Sequence, residues 1–410
     1  MKAKPSADDE LLRRWGELVS GAQVRELRAL GLDVVEAERD GASVGSADGG
    51  RFIDCISGAG VYNLGRRPAE VLAALRAALH ETDQGNFLLI SEEKGDLGRR
   101  LAAFAPGDLE CAMYSVVRGE AFDFACKLAR GATGRPGLVA VEGSWFGNTG
   151  FALSMSERRD RSDFAPPIPS VTIVPFGDLL AAEEGIGPQT AAFCLELVQA
   201  ENGCRVADAR YVRALARLCR ERGAQLVVDE TQSGLGRCGA RFACEQAGMV
   251  PDVLVMGEAL GAGVFPICAT LFPQRLAAFL DKHPLIHLST FGGSDVGCVV
   301  AQRALDVYER ERPWENAAEQ GERLKEGLLT LAPQHRKGIK GVDGAGLLLA
   351  VDLGTERRAR AFCKALSGAG ALALPGAVAR HTVVLRPSLL IGAADVERVL
   401  VAATAAAEGL

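Results

Sequence analysis

The sequence predicts an α/β fold that is built on a mostly parallel β-sheet. Short apolar runs alternate with segments of helical periodicity along most of the chain, which is the order of elements in this class. Two of these runs, 225–228 and 253–256, are typical of buried strands. The first run ends on Asp229, and the second is followed by Gly257 and then Glu258. Because ligands bind at the carboxyl ends of strands in open α/β sheets, we expect Asp229 and Glu258 to face one crevice.

Length and composition narrow the class of protein. The 410 residues suit one large α/β domain and a smaller one, and 48% hydrophobic and 24% charged residues are ordinary for a globular protein. A net charge of -6 argues against nucleic acid or a membrane as the main partner. Neither a signal core nor a run of membrane-spanning length is present in the sequence. Eleven cysteines without a Cys-x-x-Cys pair predict reduced thiols in a cytoplasmic protein, and five scattered histidines predict no metal site.

The amino-terminal half contains three predicted helices. Residues 1–50 are charged and contain several glycines, and a strand with a glycine-rich turn follows at 51–65. Pro68 suits the first turn of a helix, and the apolar positions after Gly119 recur every three to four residues. A strand that leads directly into such a helix is a natural phosphate site, because the first N–H groups of the helix are unpaired. The predicted helices span 68–80, 92–104 and 119–130, and the strand before the last one spans 111–117.

The carboxyl-terminal half continues the alternation. Asp208 is a suitable N-cap for a helix that reaches residue 222. Residues 234–239 match the Gly-x-Gly-x-x-Gly pattern, but no helical pattern follows them, so we interpret them as a tight loop. Strands are predicted at 138–141, 191–197, 225–228, 253–256, 267–272, 347–351 and 383–386, and further helices at 296–310, 314–331, 356–368 and from 395 onward.

Two stretches of the sequence resemble class III aminotransferases, the fold-type I enzymes that use pyridoxal 5'-phosphate (PLP). In that family the stretch matching 229–237 supplies the carboxylate under the pyridine nitrogen, and Asp229 matches it. The stretch matching 256–263 supplies the lysine that holds PLP as an imine, and this sequence has Glu258 there. The resemblance implies the PLP-transferase type I fold. It divides the chain into a large domain at 61–305 and a smaller α+β domain formed by 1–60 and 306–410.

The resemblance also implies roles for other residues. Asp229 and Glu258 are the candidate catalytic residues, and the family's hydroxyl-rich phosphate cup is replaced here by Val117, Arg118 and Gly119. Trp145 matches the aromatic that stacks on the pyridine ring, while Phe146 stands where the family has a histidine. Thr290 matches the threonine that reaches the phosphate of the neighbouring subunit. The implied cofactor-binding residues are Arg118, Gly119, Trp145, Asp229, Gln232 and Thr290, and the implied substrate-binding residues are Glu201 and Arg386.

The two unexpected residues, Arg118 and Glu258, lead to a prediction about their contact. An unpaired carboxylate is costly to bury, so Glu258 needs a partner or a raised pKa. Arg118 follows the strand before the phosphate-site helix, on the other side of the expected cofactor position. We therefore predict that the two residues share one pocket and, in the absence of cofactor, form a direct ion pair of about 2.7–2.9 Å.

Three functions follow from these features. In the leading hypothesis the chain is a repurposed, non-transaminating enzyme that acts on an amine, an amino acid or a carbonyl-bearing small molecule. Glu258 is then a general base or an ammonium anchor, and PLP or pyridoxamine 5'-phosphate (PMP) is bound non-covalently or not at all. The second hypothesis is a non-catalytic subunit that dimerises with an active aminotransferase paralogue, and the third is a PLP-dependent aminotransferase. The resemblance implies a homodimer in the first and third cases.

Overall fold

The structure is a computed structural model that describes residues 7–85, 88–157, 161–334 and 338–410. Its helices are α1 (Ala7–Trp15), α2 (Gly21–Leu30), α3 (Ser57–Gly60), α4 (Ala69–Glu81), α5 (Glu92–Phe104), α6 (Arg118–Thr133), α7 (Gly150–Met155), α8 (Leu179–Gly185), α9 (Ala209–Arg222), α10 (Ala243–Ala247), α11 (Gln274–Lys282), α12 (Asp295–Glu311), α13 (Pro313–Gln334), α14 (Glu356–Gly368) and α15 (Ala393–Glu408). Its strands are β1 (Glu36–Asp40), β2 (Ser43–Ser46), β3 (Arg51–Asp54), β4 (Cys111–Ser115), β5 (Gly137–Val141), β6 (Val171–Val174), β7 (Thr190–Leu195), β8 (Val198–Gln199), β9 (Arg205–Val206), β10 (Gln225–Asp229), β11 (Val253–Met256), β12 (Cys268–Phe272), β13 (Gly341–Ala345), β14 (Leu348–Asp352), β15 (Ala371–Leu372), β16 (Leu374–Pro375) and β17 (Thr382–Leu385).

A seven-stranded sheet in the order β4-β12-β11-β10-β7-β5-β6 forms the centre of the molecule. The pairs from β11 to β6 are parallel, whereas β12 runs antiparallel to both of its neighbours. Every residue of β7, β11 and β12 is buried, as expected for strands that are covered on both faces. The predicted mostly parallel α/β sheet is therefore confirmed.

Two smaller sheets combine segments from distant parts of the sequence. One has the order β1-β2-β3-β15, in which β15 pairs parallel with β3. The other has the order β13-β14-β17-β16 and consists only of residues after 340. The pairing of β3 with β15 joins the two ends of the chain, in keeping with the predicted small domain, although the domain boundaries themselves stay a prediction.

Most predicted elements are present with small shifts at their ends. Asp208 caps α9 by accepting hydrogen bonds from the N–H groups of Arg210 and Tyr211, as its position before the helix predicts. Helix α6 begins at Arg118, one residue earlier than predicted, and β4 ends two residues earlier, at Ser115. Residues 234–239 form a series of turns, which confirms that they do not open a dinucleotide-binding helix. We predicted no helix or strand within residues 1–50, where the structure has α1, α2, β1 and β2.

A fully buried arginine connects the loop after β10 with segments from the amino-terminal and carboxyl-terminal parts of the chain. The Arg237 guanidinium donates to Asn63 Oδ1 at 2.6 Å, to the Leu347 carbonyl at 3.0 Å and to the Pro387 carbonyl. These acceptors are uncharged, and burial lowers the pKa of Arg237 to about 10. The hydrogen bonds fix the segment that follows Asp229 against the smaller sheets.

Two properties of the described residues bear on the possible class of protein. None of their helices is both long and apolar enough to cross a membrane. Within the same residues, no group of three or more histidine, cysteine, aspartate or glutamate side chains is arranged to hold a metal ion. All eleven cysteines have free thiols.

Candidate active site

Two adjacent parallel strands deliver the candidate catalytic carboxylates to the same edge of the sheet. Asp229 is the last residue of β10 and lies in register with Val255 of β11, and Glu258 follows β11 by two positions. Between them the chain passes very close to Thr231, since a Cβ at Gly257 would lie 2.7 Å from the Thr231 carbonyl oxygen. Glycine at 257 thus allows the two strand ends to approach each other.

The guanidinium of Arg118 lies between two buried carboxylates. Its Nε and Nη2 donate to Asp229 Oδ2 at 3.2 and 3.1 Å, and Nη2 also donates to Glu196 Oε1 at 2.8 Å. Arg118 is 8% exposed, and Asp229 and Glu196 are each 2% exposed. We call these three residues the ion triad. It places one permanent cation against two acids at the carboxyl ends of β7 and β10.

Burial raises the pKa values of both acids in the ion triad. Burial raises the pKa of Glu196 to about 8, although Arg118 opposes the shift. Burial also raises the pKa of Asp229, again opposed by Arg118. Burial would lower the pKa of Arg118, but Asp229 and Glu196 outweigh it and keep that pKa above its usual value. One guanidinium carries one positive charge against two carboxyl groups, so the raised pKa values favour retention of a proton by the pair of acids.

Glu258 binds the main chain of Arg118 and not its side chain. Glu258 Oε1 accepts the Arg118 N–H at 2.8 Å, a bond to the unpaired first turn of α6. The two residues are therefore in contact, but through the main chain, and the predicted ion pair between the guanidinium and Glu258 is wrong. The guanidinium extends instead to Asp229 and Glu196, where two deeply buried acids offer more compensation for its own desolvation.

Acidic side chains occupy the amino-terminal end of α6. Besides Glu258 on Arg118, Glu120 Oε2 accepts the Val116 N–H at 2.7 Å. Gly119 is in close contact with the loop after β5, because a Cβ at 119 would lie 2.6 Å from Thr149 Oγ1. The helix end that the sequence predicts as a phosphate site thus already carries two carboxylates.

The loop after β5 binds the second carboxylate oxygen of Glu196. The main-chain N–H of Trp145 donates to Glu196 Oε2 at 2.8 Å, so both oxygens of that carboxylate accept hydrogen bonds. Phe146 is completely buried and stacks on Phe122 of α6, with ring centroids 4.1 Å apart and planes 11° apart. A phenylalanine at 146 therefore serves the packing of α6 on the sheet.

The two predicted substrate residues form a second buried cluster. Arg386 Nη1 donates to Glu201 Oε1 at 2.7 Å, and the Ala377 N–H donates to Glu201 Oε2 at 3.0 Å. Burial alone would raise the pKa of Glu201, but Arg386 outweighs it and holds the pKa below its ordinary value. Gln232, predicted to bind cofactor, joins this cluster by accepting from Arg386 Nη1. Thr290 lies exposed in the loop between α11 and α12.

Glu196 belongs to the ion triad, but we did not predict it as a site residue from the sequence. It follows β7 directly, within the run 191–197 that we predicted only as a strand. The available signal was an acidic residue in an otherwise apolar segment at the carboxyl end of a strand, the same signal that identified Asp229.

The free energy of unfolding is expected to fall as the pH rises from about 5 to about 8. The pKa of Glu196 is about 8 in the folded chain and 4.5 ordinarily, so between these values the unfolded chain releases a proton that the folded chain keeps. One such group changes stability by up to about 1.4 kcal/mol per pH unit. Urea unfolding of the native protein and of Glu196→Gln across this range measures the effect.

The substitution should make this decline shallower. Glu230, whose pKa burial raises to about 7, adds a decline of the same sign to both proteins, so the difference between them reports the Glu196–Asp229 pair. Equal slopes for the two proteins would contradict the raised pKa of Glu196.

Comparison with known proteins decides the family. The family model described as aminotransferase class III matches residues 26–406. The chain belongs to the class III aminotransferase family. A relative from Archaeoglobus fulgidus, described as an uncharacterized aminotransferase, is 39% identical over 326 residues, which cover 80% of this chain and 77% of the relative. A putrescine aminotransferase of Pectobacterium atrosepticum is 35% identical over 328 residues, covering 78% and 70% of the two chains.

Solved structures of the family share the fold of this class III chain. An amine transaminase from an uncultivated Pseudomonas species, determined in its PLP-bound form, superposes with a TM-score of 0.84 at 26% identity. The match covers 92% of this chain and 95% of that one. The predicted PLP-transferase type I fold is thereby confirmed, and the family and this PLP-bound structure imply PLP as the cofactor.

The residues of this class III chain, as they are arranged, do not fit PLP. At the ring end, Asp229 Oδ2 accepts from Arg118 and Oδ1 accepts the Thr231 N–H, so both oxygens are engaged. At the phosphate end, Glu258 holds the main-chain N–H of Arg118, and its charge would repel a phosphate dianion. The sequence contains no lysine between Lys127 and Lys282.

Proposed function

We propose that this class III aminotransferase-family chain does not transaminate and instead binds an amine-bearing small molecule at Glu258. The ion triad carries this proposal, because it engages the carboxylate that would hold the pyridine ring. Glu258 stands where the resemblance places the imine-forming lysine, and a carboxylate cannot form an imine. PLP or PMP is then absent, or at most bound without a covalent link.

The environment of Glu258 suits an ammonium group. Its Oε1 is fixed by the Arg118 N–H, and within the described part of the chain its Oε2 makes no hydrogen bond. Glu258 is partly exposed, unlike the buried Asp229, so a ligand can reach it. One oriented and accessible carboxylate oxygen can accept an N–H from a primary amine, or take a proton from a carbon next to a carbonyl group.

Replacement of Glu258 by glutamine is expected to weaken the binding of a primary amine by about 10- to 100-fold, the value of one hydrogen bond between charged groups. Calorimetric titration with putrescine and with its uncharged analogue 1,4-butanediol measures this difference. Putrescine is chosen because a relative is named a putrescine aminotransferase.

The matched control is Glu184→Gln on the exposed face of α8, which should leave amine binding unchanged. Equal affinity of native protein and Glu258→Gln for putrescine, or equal binding of the diol, would refute Glu258 as the anchor.

A second candidate function has its own supporting observation. The loop between α11 and α12 exposes Leu285, Ile286, Leu288 and Phe291 next to Thr290, and such an apolar surface favours a protein contact. The chain would then be a lysine-less subunit that pairs with an active aminotransferase and contributes Thr290 to its phosphate site. Native mass spectrometry of the protein purified from its own cell distinguishes a homodimer from such a heterodimer. The mass of any bound cofactor in the same experiment, together with a visible absorption spectrum of the protein, tests the third possibility of an ordinary PLP-dependent enzyme.

A further inference from the structure

We propose that Arg118 is a built-in substitute for a cationic cofactor ring, and that its side chain closes a latent site for a flat monocation with N–H donors. This inference rests on the proposed absence of covalently bound PLP. It goes further by assigning to Arg118 the charge that the ring would bring, and by naming the class of ligand that could replace the side chain.

The first argument concerns charge. Asp229 and Glu196 are almost completely buried and share the Arg118 guanidinium, with N–O distances from 2.8 to 3.2 Å. Burying two acids this close to each other is costly unless a cation lies between them or a proton neutralises one of them. In the family a protonated pyridine nitrogen would lie against the acid that Asp229 matches. In this chain the guanidinium donates to that acid, so the same position holds a positive charge without any cofactor.

The second argument concerns rigidity. The main-chain N–H of Arg118 is bound by Glu258 at 2.8 Å, and its side chain is bound by Asp229 and Glu196. Both ends of the residue are thus held, and α6 begins at this residue. Fixation at both ends makes Arg118 a permanent occupant of the ring position, and a cofactor ring would have to displace a buried ion pair in order to bind.

Shortening the Arg118 side chain should therefore open a cation-binding site whose lining residues are known. Asp229 Oδ2 and Glu196 Oε1 would each lose their guanidinium donor, while the Trp145 N–H would still fix the other oxygen of Glu196. A planar cation with N–H groups, such as a pyridinium or an alkylguanidinium, offers donors in the plane that these oxygens accept. The ligand need not carry a phosphate, since the phosphate end holds Glu120 and Glu258.

The experiment measures equilibrium binding of ethylguanidinium and of pyridoxamine, which lacks the phosphate, to native protein and to Arg118→Ala. The variant should bind both probes at least about tenfold tighter than the native chain, the effect of one charge-assisted hydrogen bond. The double variant Arg118→Ala/Asp229→Asn should lose this gain. The matched control, Arg99→Ala in the exposed Arg99–Asp96 pair of α5, should bind like the native protein.

Two results would overturn the inference: a folded Arg118→Ala variant that binds neither probe more tightly than the native protein does, or a gain that the added Asp229→Asn leaves unchanged. If Arg118→Ala fails to fold, the double variant Arg118→Ala/Glu196→Gln takes its place, because it has only one unpaired acid. Asp229 remains in it to bind the probes, so it too should bind them more tightly than the native protein does. These outcomes are independent of the putrescine titration of Glu258→Gln, so failure of the latent site is distinguishable from failure of the proposed function.

Discussion

Replacement of Arg118 by methionine is expected to lower the free energy of unfolding by about 3–5 kcal/mol at pH 8. Methionine keeps much of the side-chain volume but leaves Asp229 and Glu196 buried without their cation. The loss should shrink toward pH 5, because the two carboxyl groups can then be neutralised by protons. Urea unfolding at both ends of this pH range measures the loss.

A double-mutant cycle separates the ion triad from simple packing. Glu196→Gln removes one acid, so Arg118→Met/Glu196→Gln should lose at least about 1 kcal/mol less than the sum of the two single variants. The control is Arg99→Met, since the ion pair of Arg99 with Asp96 at 3.2 Å is exposed and should contribute less than about 1 kcal/mol. Additive losses in the cycle would show that Arg118 stabilises the chain through its packing alone.

The fold was predictable because the pattern that specifies it is local. The apolar runs that became β10 and β11, and the acidic residues that end them, depend only on neighbours in sequence. A capping residue such as Asp208 is equally local, since its side chain binds N–H groups two and three positions later. For this reason the sequence also placed Asp229 and Glu258 at one edge of the sheet.

The partners of the site residues were not predictable to the same degree. Glu258 and the Arg118 guanidinium were expected to pair because both are unusual for the family, but neither sequence position indicates the direction of a long side chain. Arg118 has several rotatable bonds, and its direction is decided by Asp229 and Glu196, 111 and 78 positions away. Gln232 was likewise predicted at the cofactor and lies on Arg386, 154 positions away. Such contacts depend on tertiary structure, and a single sequence does not report them.

The ion triad gives one physical account of Arg118 and Glu258, the two residues that differ from what the resemblance to the family implies. Under the proposed function, the carboxylate at 258 cannot form an imine with PLP and would repel the phosphate of the cofactor. An arginine at 118 then stabilises the acid that the ring would otherwise cover. Arg118 and Glu258 are therefore coupled through the start of α6, because Glu258 accepts the main-chain N–H of Arg118, the first residue of that helix.

Introduction of a lysine by Glu258→Lys alone is expected to restore almost no transamination. The new ammonium cannot accept the Arg118 N–H, and the Arg118 guanidinium would still bind Asp229. The pyridine ring of PLP would then lack its carboxylate partner and the space that it needs. Misplacement by about 1 Å can cost on the order of a hundredfold in rate. The double variant Glu258→Lys/Arg118→Ser frees Asp229 and restores a hydroxyl to the helix end, and it should exceed the single variant by about that factor.

Single-turnover transfer of an amino group to PLP measures the rate of both variants. Borohydride reduction of the PLP-loaded proteins before any amino donor is added, followed by peptide mapping, locates the imine. The double variant should carry a pyridoxyl group at 258, and the native protein, which has no lysine between Lys127 and Lys282, should carry none within residues 250–265. Equal turnover of the single and double variants would mean that PLP displaces Arg118 readily. The ion triad would then be a weak contact, and the lysine position alone would decide whether this fold transaminates.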